Sequence, residues 1–455
     1  MTIEASIDAR PPAAPVNALL TAPILPTLLR LALPNSIAML ATALVAVAET
    51  SYIGRLGVEP LAGIALVFPF VMLTQMMSAG AMGGGVSSAI SRALGAGNRE
   101  RAATLALHAA IIGASAGLFF TVTMLVFGRA FYALLGGRGG VLDQAMQYSQ
   151  VLFSGAISIW LVNTLASVVR GTGDMRAPSV VLFAVAIIQV IVGGTFGLGL
   201  FGLPSFGMRG VAAGQLAAFT LGAIYLIWYL ASGRSQLKLN LRNFSFQRDM
   251  FLDILKVGAV SCLSPLQTVL TILIFTKILA GFGTVTLAGY GIGSRLEFLL
   301  VPISFAFGVA SIPMIGMAIG AGLVSRARMV AWTAAASAGL TLGLIGLVVA
   351  IKPSLWVSLF TNDPGVTAAA NSYFAWSGPA FGFFGIGICL YFSSQGAAKM
   401  LGPVLAGTLR LVLVGAGGWW LATSGAEAWT LFALVGGAMA MYGLATVLSV
   451  RLSRW

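Results

Sequence analysis

The chain has 455 residues, 58% of them apolar and 8% charged, with a net charge of +13 and a mean hydropathy of +0.98. Soluble domains are about 45–50% apolar and about 25% charged, so this chain has too few charges to clothe a water-soluble surface, and a soluble enzyme is excluded. Its basic residues sit mainly in short connections between apolar runs, where membrane topology is encoded, so the positive charge does not point to nucleic acid. The apolar runs are continuous rather than alternating, which argues against a β-barrel.

In chain order, residues 1–28 carry Pro11, Pro12, Pro15, Pro23 and Pro26 and lack a basic stretch followed by a short apolar core. They read as a tail without a cleavable signal. Apolar runs long enough to cross a bilayer, about 20 residues each, are expected at 29–54, 61–90, 103–127, 145–168, 179–200 and 210–231. Six more follow at 257–280, 287–316, 329–352, 370–394, 403–423 and 427–450. The most polar connection, 232–256, carries Arg234, Lys238, Arg242, Arg248, Asp249 and Asp253. The expected organisation is a cytoplasmic tail 1–28, an N-lobe 29–231, a cytoplasmic linker 232–256, a C-lobe 257–450 and a tail 451–455.

The halves repeat. Gly57 with Leu61-Ala62-Gly63 matches Gly283 with Leu287-Ala288-Gly289 at an offset of 226. Gly83 matches Gly308, Gly95-Ala96-Gly97 with Arg101 matches Gly320-Ala321-Gly322 with Arg326, and Gly171 with Pro178 matches Gly396 with Pro403, all at 225. Six spans per half place the repeats parallel, about an axis along the membrane normal, with a cavity between them. With both termini inside, 17 of the 25 Lys and Arg fall on the cytoplasmic side and 6 outside, leaving Arg295 and Arg410 within spans. That bias follows the positive-inside rule, so both termini are expected in the cytoplasm.

Several motifs look chemical without their context. Gly197-Leu-Gly-Leu-Phe-Gly202 satisfies G-x-G-x-x-G, but no strand precedes it and no acidic residue follows about 20 positions on. Gly80 with Gly83-Gly84-Gly85 lacks the Lys-Ser/Thr of a phosphate loop and reads as close helix packing. Asn243-Phe-Ser245 is a formal glycosylation sequon on the side expected to be cytoplasmic. His108 is the one histidine, and a metal site needs more ligands than that. Cys262 and Cys389 lie in apolar segments and read as small buried hydrophobes. With no nucleophile elbow, zinc motif or nucleotide motif, the chain is expected not to be an enzyme and to need no cofactor or metal. Transport driven by an ion gradient, or passive transport, remains.

Polar groups inside the spans are functional candidates by default, because burying them is expensive. Glu49 lies five residues from the end of the first span with no basic neighbour within a turn. A carboxyl removed from water favours its protonated form, so one residue suffices to exchange a proton for substrate. The competing reading is a hydrated group at the outer interface. Glu297, in the eighth span, is open between a structural ion pair and a cavity role; Arg295, two positions away, faces elsewhere on the helix. Arg410 in the eleventh span binds an anionic group, pairs with a carboxylate, or snorkels to the interface. Asn163, Gln189 and Gln267 line a cavity or bridge helices. Pro34 permits a bend in the first helix.

The segment Glu49-Thr-Ser-Tyr-Ile-Gly54-Arg55-Leu56-Gly57, then Leu61-Ala62-Gly63, Gly95-Ala-Gly-Asn-Arg-Glu-Arg101, Arg170-Gly-Thr-Gly-Asp-Met-Arg-Ala-Pro178, and Gln395-Gly396 before Pro403, resemble in their order the multidrug and toxic compound extrusion (MATE) family over about 30–450. The resemblance implies an all-α integral membrane protein, twelve transmembrane helices in two six-helix repeats forming a V-shaped pair of lobes. It implies a small-molecule cargo, organic and often cationic, exported against H⁺ or Na⁺, by a monomer surrounded by lipid. It makes Glu49 the ion-coupling residue, in place of the more usual Asp, and maps the hinge of the first helix after Pro34. The N-x-x-x-D pair of DinF-like members falls here on Gln189 and Gly193, so the supporting carboxylate is missing. The acidic residues that NorM-like members use in the seventh and tenth spans are also missing, Gln267 being the polar group of the seventh, which argues against that sodium-binding arrangement. The match is therefore to the DinF-like branch more than the NorM-like one.

These readings converge on a proton-coupled exporter of amphipathic organic compounds in the bacterial inner membrane, working by alternating access. Sodium coupling through Glu49, a lipid-linked precursor flippase of the wider superfamily, and a scaffold or sensor without transport are the alternatives.

Overall fold

The structure, a computed structural model, describes residues 18–237, 246–453 and 455. Pro11, Pro12, Pro15, Lys238, Arg242 and the sequon at 243–245 fall outside these residues. Eleven helices are long and apolar enough to cross a membrane, and a bent pair makes twelve spans. The N-lobe contains α1 (Ile24–Leu56), α2 (Val58–Gly95), α3 (Arg99–Leu134), α4 (Gly139–Ser154 continuing as Ala156–Gly171), α5 (Arg176–Leu198) and α6 (Gly207–Ala231). The C-lobe contains α7 (Arg248–Ala280), α8 (Thr284–Gly320), α9 (Val324–Ile351), α10 (Pro364–Gly396), α11 (Leu401–Thr423) and α12 (Ala428–Leu452). Two apolar cores form, one mostly of C-lobe residues that also takes in Leu28, Leu31 and Ala32 of α1, the other mostly of N-lobe residues that also takes in Met250, Ile254 and Cys262 of α7.

Helices are the form these runs must take, because lipid offers the backbone no hydrogen-bond partner and only local i→i−4 bonding satisfies it. At 1.5 Å per residue, spans of 23–38 residues exceed the hydrocarbon thickness of about 30 Å, leaving room for tilt. Side-chain caps set some boundaries. Asn98 accepts from the Arg101 N–H to start α3, and Asp363 accepts from the Val366 N–H ahead of Pro364 to start α10.

Three departures from straight helix matter. α4, expected as one run at 145–168, extends to both sides and bends by 51° at Gly155, where a Cβ would lie 2.2 Å from Leu216. α2 and α11 each contain a widened π-helical stretch, Met76–Met82 and Leu413–Gly417. Such stretches displace backbone carbonyls from the regular ladder and occur often at functional sites.

The internal repeat is visible in the contacts. A Cβ on Gly95 would stand 2.1 Å from the Met317 carbonyl oxygen, and one on Gly320 would stand 2.1 Å from that of Arg92. Adding 225 to 92 and 95 gives 317 and 320, so α2 and α8 cross through equivalent positions. Gly171 packs on Ser87 and Ile90, and Gly396 packs on Ile312 and Ile315, again at the same offset. Gly57 and Gly283 join the first two helices of each half with φ of +128° and +97°, and Gly97 and Gly322 end α2 and α8 at +75° each, conformations that favour glycine.

Polar ties flank this crossing. Asp253 of α7 pairs with Arg92 at 2.7 Å and Arg101 at 3.0 Å, and Arg92 also donates to Ser88. In the other half Arg326 donates to the carbonyls of Leu19 and Ala22, ahead of and at the approach to α1. His108 accepts from the Gln247 N–H at 2.9 Å and lies 2.9 Å from the Thr104 carbonyl, which pins the approach to α7 onto α3. Cys262 and Cys389 are buried free thiols.

Candidate functional site

Glu49 lies on α1 inside the N-lobe, half-buried. Its Oε1 is 2.9 Å from the Tyr148 hydroxyl of α4, and its Oε2 accepts from Gln189 Nε2 of α5 at 3.4 Å. The same Tyr148 hydroxyl is 2.6 Å from Gln215 Oε1 of α6. Four helices therefore converge on one carboxyl. Tyr148, Gln189 and Gln215 are buried, at 1%, 6% and 3% exposure, so this polar network is largely removed from solvent. No Lys or Arg forms an ion pair with Glu49 among the described residues. Tyr52, one turn along α1, places a buried hydroxyl without a hydrogen-bond partner against Gly193, where a Cβ would lie 3.1 Å from it. The position that holds an aspartate in the DinF-like pattern thus makes room here for a tyrosine.

The hydrogen count in this network is informative. Two short O···O contacts join Glu49, Tyr148 and Gln215, and a phenol carries one proton. A protonated Glu49 supplies the second hydrogen, giving the chain Glu49→Tyr148→Gln215. With Glu49 ionised, Tyr148 donates to it, and a half-turn of the Gln215 amide presents its NH₂ to Tyr148 instead.

The other polar candidates lie elsewhere. Asn163 of α4 donates at 2.8 Å to both Gln75 and Ser78, holding the start of the π-helical stretch of α2. Gln267 of α7 donates to Thr408 at 2.8 Å and to the Val404 carbonyl at 3.4 Å on α11. Arg295 is exposed and places its guanidinium 5.2 Å from the Phe360 ring. Glu297 has one buried carboxyl oxygen without a hydrogen-bond partner. It lies within the electrostatic reach of Arg410 but forms no ion pair among the described residues. Pro34 is accommodated within α1.

Between the lobes is a cavity of about 100 Å³, walled by Met76, Gly80 and Ala81 of α2 and by residues of α7, α8, α10, α11 and α12. Phe305, Phe384, Tyr391 and Phe392 make much of the wall, with Gln267 and Arg410 among its polar groups. Gln395 of α10 donates to the Gly80 carbonyl at 3.1 Å, an oxygen inside the π-helical stretch. Tyr148, Gln215 and Tyr52 were not singled out in the sequence; the available signal was a hydroxyl or amide inside an apolar run.

The MatE family model matches this chain twice, at residues 34–195 and 261–420. The chain belongs to the MatE family. It is a multi-pass membrane transporter and not an enzyme. An FAD transporter of Shewanella oneidensis is 26% identical over 400 residues, 88% of either chain. A probable multidrug resistance protein NorM of Thermotoga maritima is 23% identical over 343 residues, 74% of this chain and 73% of the relative. Among solved structures, a MOP superfamily transporter from Pyrococcus furiosus superposes with a TM-score of 0.88 at 22% identity, covering 96% of this chain and 97% of the other. The Vibrio cholerae MATE transporter VcmN in its bent form gives 0.84 at 22% identity, covering 94% and 96%.

Proposed function

We propose that this transporter exports amphipathic organic molecules in exchange for protons, with Glu49 carrying the proton. The observation that supports this most is the setting of Glu49. It is contacted by an amide NH₂ and a phenol rather than by a cation or a shell of oxygen ligands. Either proton state is satisfied by rotating the Gln215 amide, so loading and unloading cost little in hydrogen bonds. Sodium coordination asks instead for several converging oxygens. The Thr50 hydroxyl, one candidate for that shell, is on an exposed residue and donates to the Ala46 carbonyl of its own helix at 2.8 Å.

By linkage, proton and substrate must each weaken the binding of the other for exchange to be tight. With both termini in the cytoplasm of a bacterial inner membrane, as the basic residues favour, the α2–α8 crossing seals the cytoplasmic side. Missing carboxylates in the seventh and tenth spans favour the DinF-like over the NorM-like branch, and a monomer suffices because both lobes lie in one chain. The flippase reading receives less support, since one charged side chain lines the cavity.

The test is efflux from proteoliposomes under an imposed pH gradient and, separately, an imposed sodium gradient, with Glu49→Gln in parallel. Ethidium and FAD serve as trial substrates, the first suited to the multidrug relatives and the second to the Shewanella relative. Efflux following the pH gradient and lost in Glu49→Gln is expected. Efflux following sodium alone, or undiminished in the mutant, would overturn the assignment.

A further inference from the structure

We infer that the cavity between the lobes selects an organic anion bearing a planar ring, with Arg410 as the residue that recognises the anionic group. This builds on the transport reading only in taking the cavity as the substrate site. Among the described residues, Arg410 is the only charged side chain in the wall. It forms no ion pair or hydrogen bond among the described residues, and its guanidinium is 4.8 Å from the Phe384 ring centroid. Of the three roles open to it, pairing within the protein is therefore not realised. The cation–π contact holds the head group over a ring of the cavity wall. A guanidinium has five N–H donors and no acceptor, in a planar fork that matches carboxylate or phosphate oxygens.

A second observation points to the same ligand: the cavity wall is aromatic, with Phe305 and Phe392 set edge to face at 4.7 Å. Gln267 spends its Nε2 on Thr408 and on the Val404 carbonyl, and its Oε1 is buried against Gly407, out of reach of a ligand. Donor fork and aromatic wall together complement a flat ring that carries an anionic substituent. A cationic ligand finds no carboxylate in the wall. Glu297, the acidic group that interacts with Arg410, does not line the cavity.

Riboflavin and riboflavin 5′-phosphate share such a ring and differ by one anionic group, so they isolate the contribution of Arg410. Their binding to the purified protein is read from quenching of flavin fluorescence, for wild type, Arg410→Met and Arg410→Lys. We expect the phosphate to bind about tenfold or more tightly than riboflavin in the wild type, as one charge-assisted contact provides. The preference should vanish in Arg410→Met and return in part in Arg410→Lys, which restores charge without the fork. Equal affinities in the wild type, a preference that survives in Arg410→Met, or binding of ethidium but of neither flavin would each overturn the inference. Thermal melting of Arg410→Met in detergent, measured alongside, reports whether that variant is folded. Failure of the flavin comparison leaves proton exchange through Glu49 standing. Failure of the Glu49→Gln test leaves the flavin comparison intact.

Discussion

Gly95→Ala adds a methyl group 2.1 Å from the Met317 carbonyl oxygen, and Gly320→Ala adds one 2.1 Å from that of Arg92. Carbon and carbonyl oxygen normally approach to about 3.3 Å, so α2 and α8 must part by about 1 Å in either variant. The obstacle is helix backbone, which cannot swing aside as a side chain would. Overpacking of this kind costs about 1–3 kcal/mol, against a gain of at most about 1 kcal/mol from the better helix propensity of alanine. Gly291→Ala and Gly437→Ala are the controls, since a Cβ at either position meets nothing within 4 Å. The controls should therefore hold or raise the melting temperature, while Gly95→Ala and Gly320→Ala lower it. Tryptophan fluorescence during thermal unfolding in detergent measures this, the chain having 9 tryptophans. The two interface variants should also fall by similar amounts, because they change equivalent positions of one crossing. Gly95→Ala melting like Gly437→Ala would refute the packing argument; one interface variant tolerated and the other not would refute the equivalence.

Three further outcomes are expected. Tyr148→Phe removes the oxygen that joins Glu49 to Gln215, so pH-driven efflux should fall about tenfold while flavin binding is unchanged, the loss of one buried hydrogen bond being about 1 kcal/mol or more. Asn163→Leu strands Gln75 and Ser78 and should lower thermal stability by about 1–3 kcal/mol without altering the choice between H⁺ and Na⁺, checked by melting and by gradient-driven efflux. Asp253→Asn weakens the pairs with Arg92 and Arg101, each worth about 0–1 kcal/mol because Asp253 is 28% exposed. Its effect on melting should be small and should shrink further as salt is raised.

The span pattern was legible because lipid imposes one requirement on every residue of a crossing segment, and long apolar runs meet it visibly. The repeat was legible because Gly57, Gly95 and Gly171 are needed where backbones approach or turn, and their counterparts Gly283, Gly320 and Gly396 meet the same need. Glu49 stood out because a carboxyl in such a run has few innocuous explanations. Its companions did not. Tyr148 and Gln215 sit on different helices, and a hydroxyl or amide in an apolar helix is common enough that its direction must be known before its role is. The bend at Gly155 and the π-helical stretches of α2 and α11 were likewise unread, since one glycine among 57 carries no mark of which one breaks a helix. For Arg410 the sequence left anion binding, pairing and snorkelling open. Its place on the cavity wall beside Phe384 is a matter of how α10 and α11 pack.

The crossing of α2 and α8 through positions 92/95 and 317/320 has the form of a two-fold dimer contact, in which each partner offers the same patch to the other. Such a surface is self-complementary before any chain connects its two sides. A six-helix ancestor with this patch would have paired with a second copy of itself, and fusion would have added proximity rather than a new interface. The connection between the lobes then acts chiefly by raising the local concentration of one half around the other. Once the two halves are free to differ, only one need keep a carboxyl at its first helix, as this chain does with Glu49, while the other is released to change.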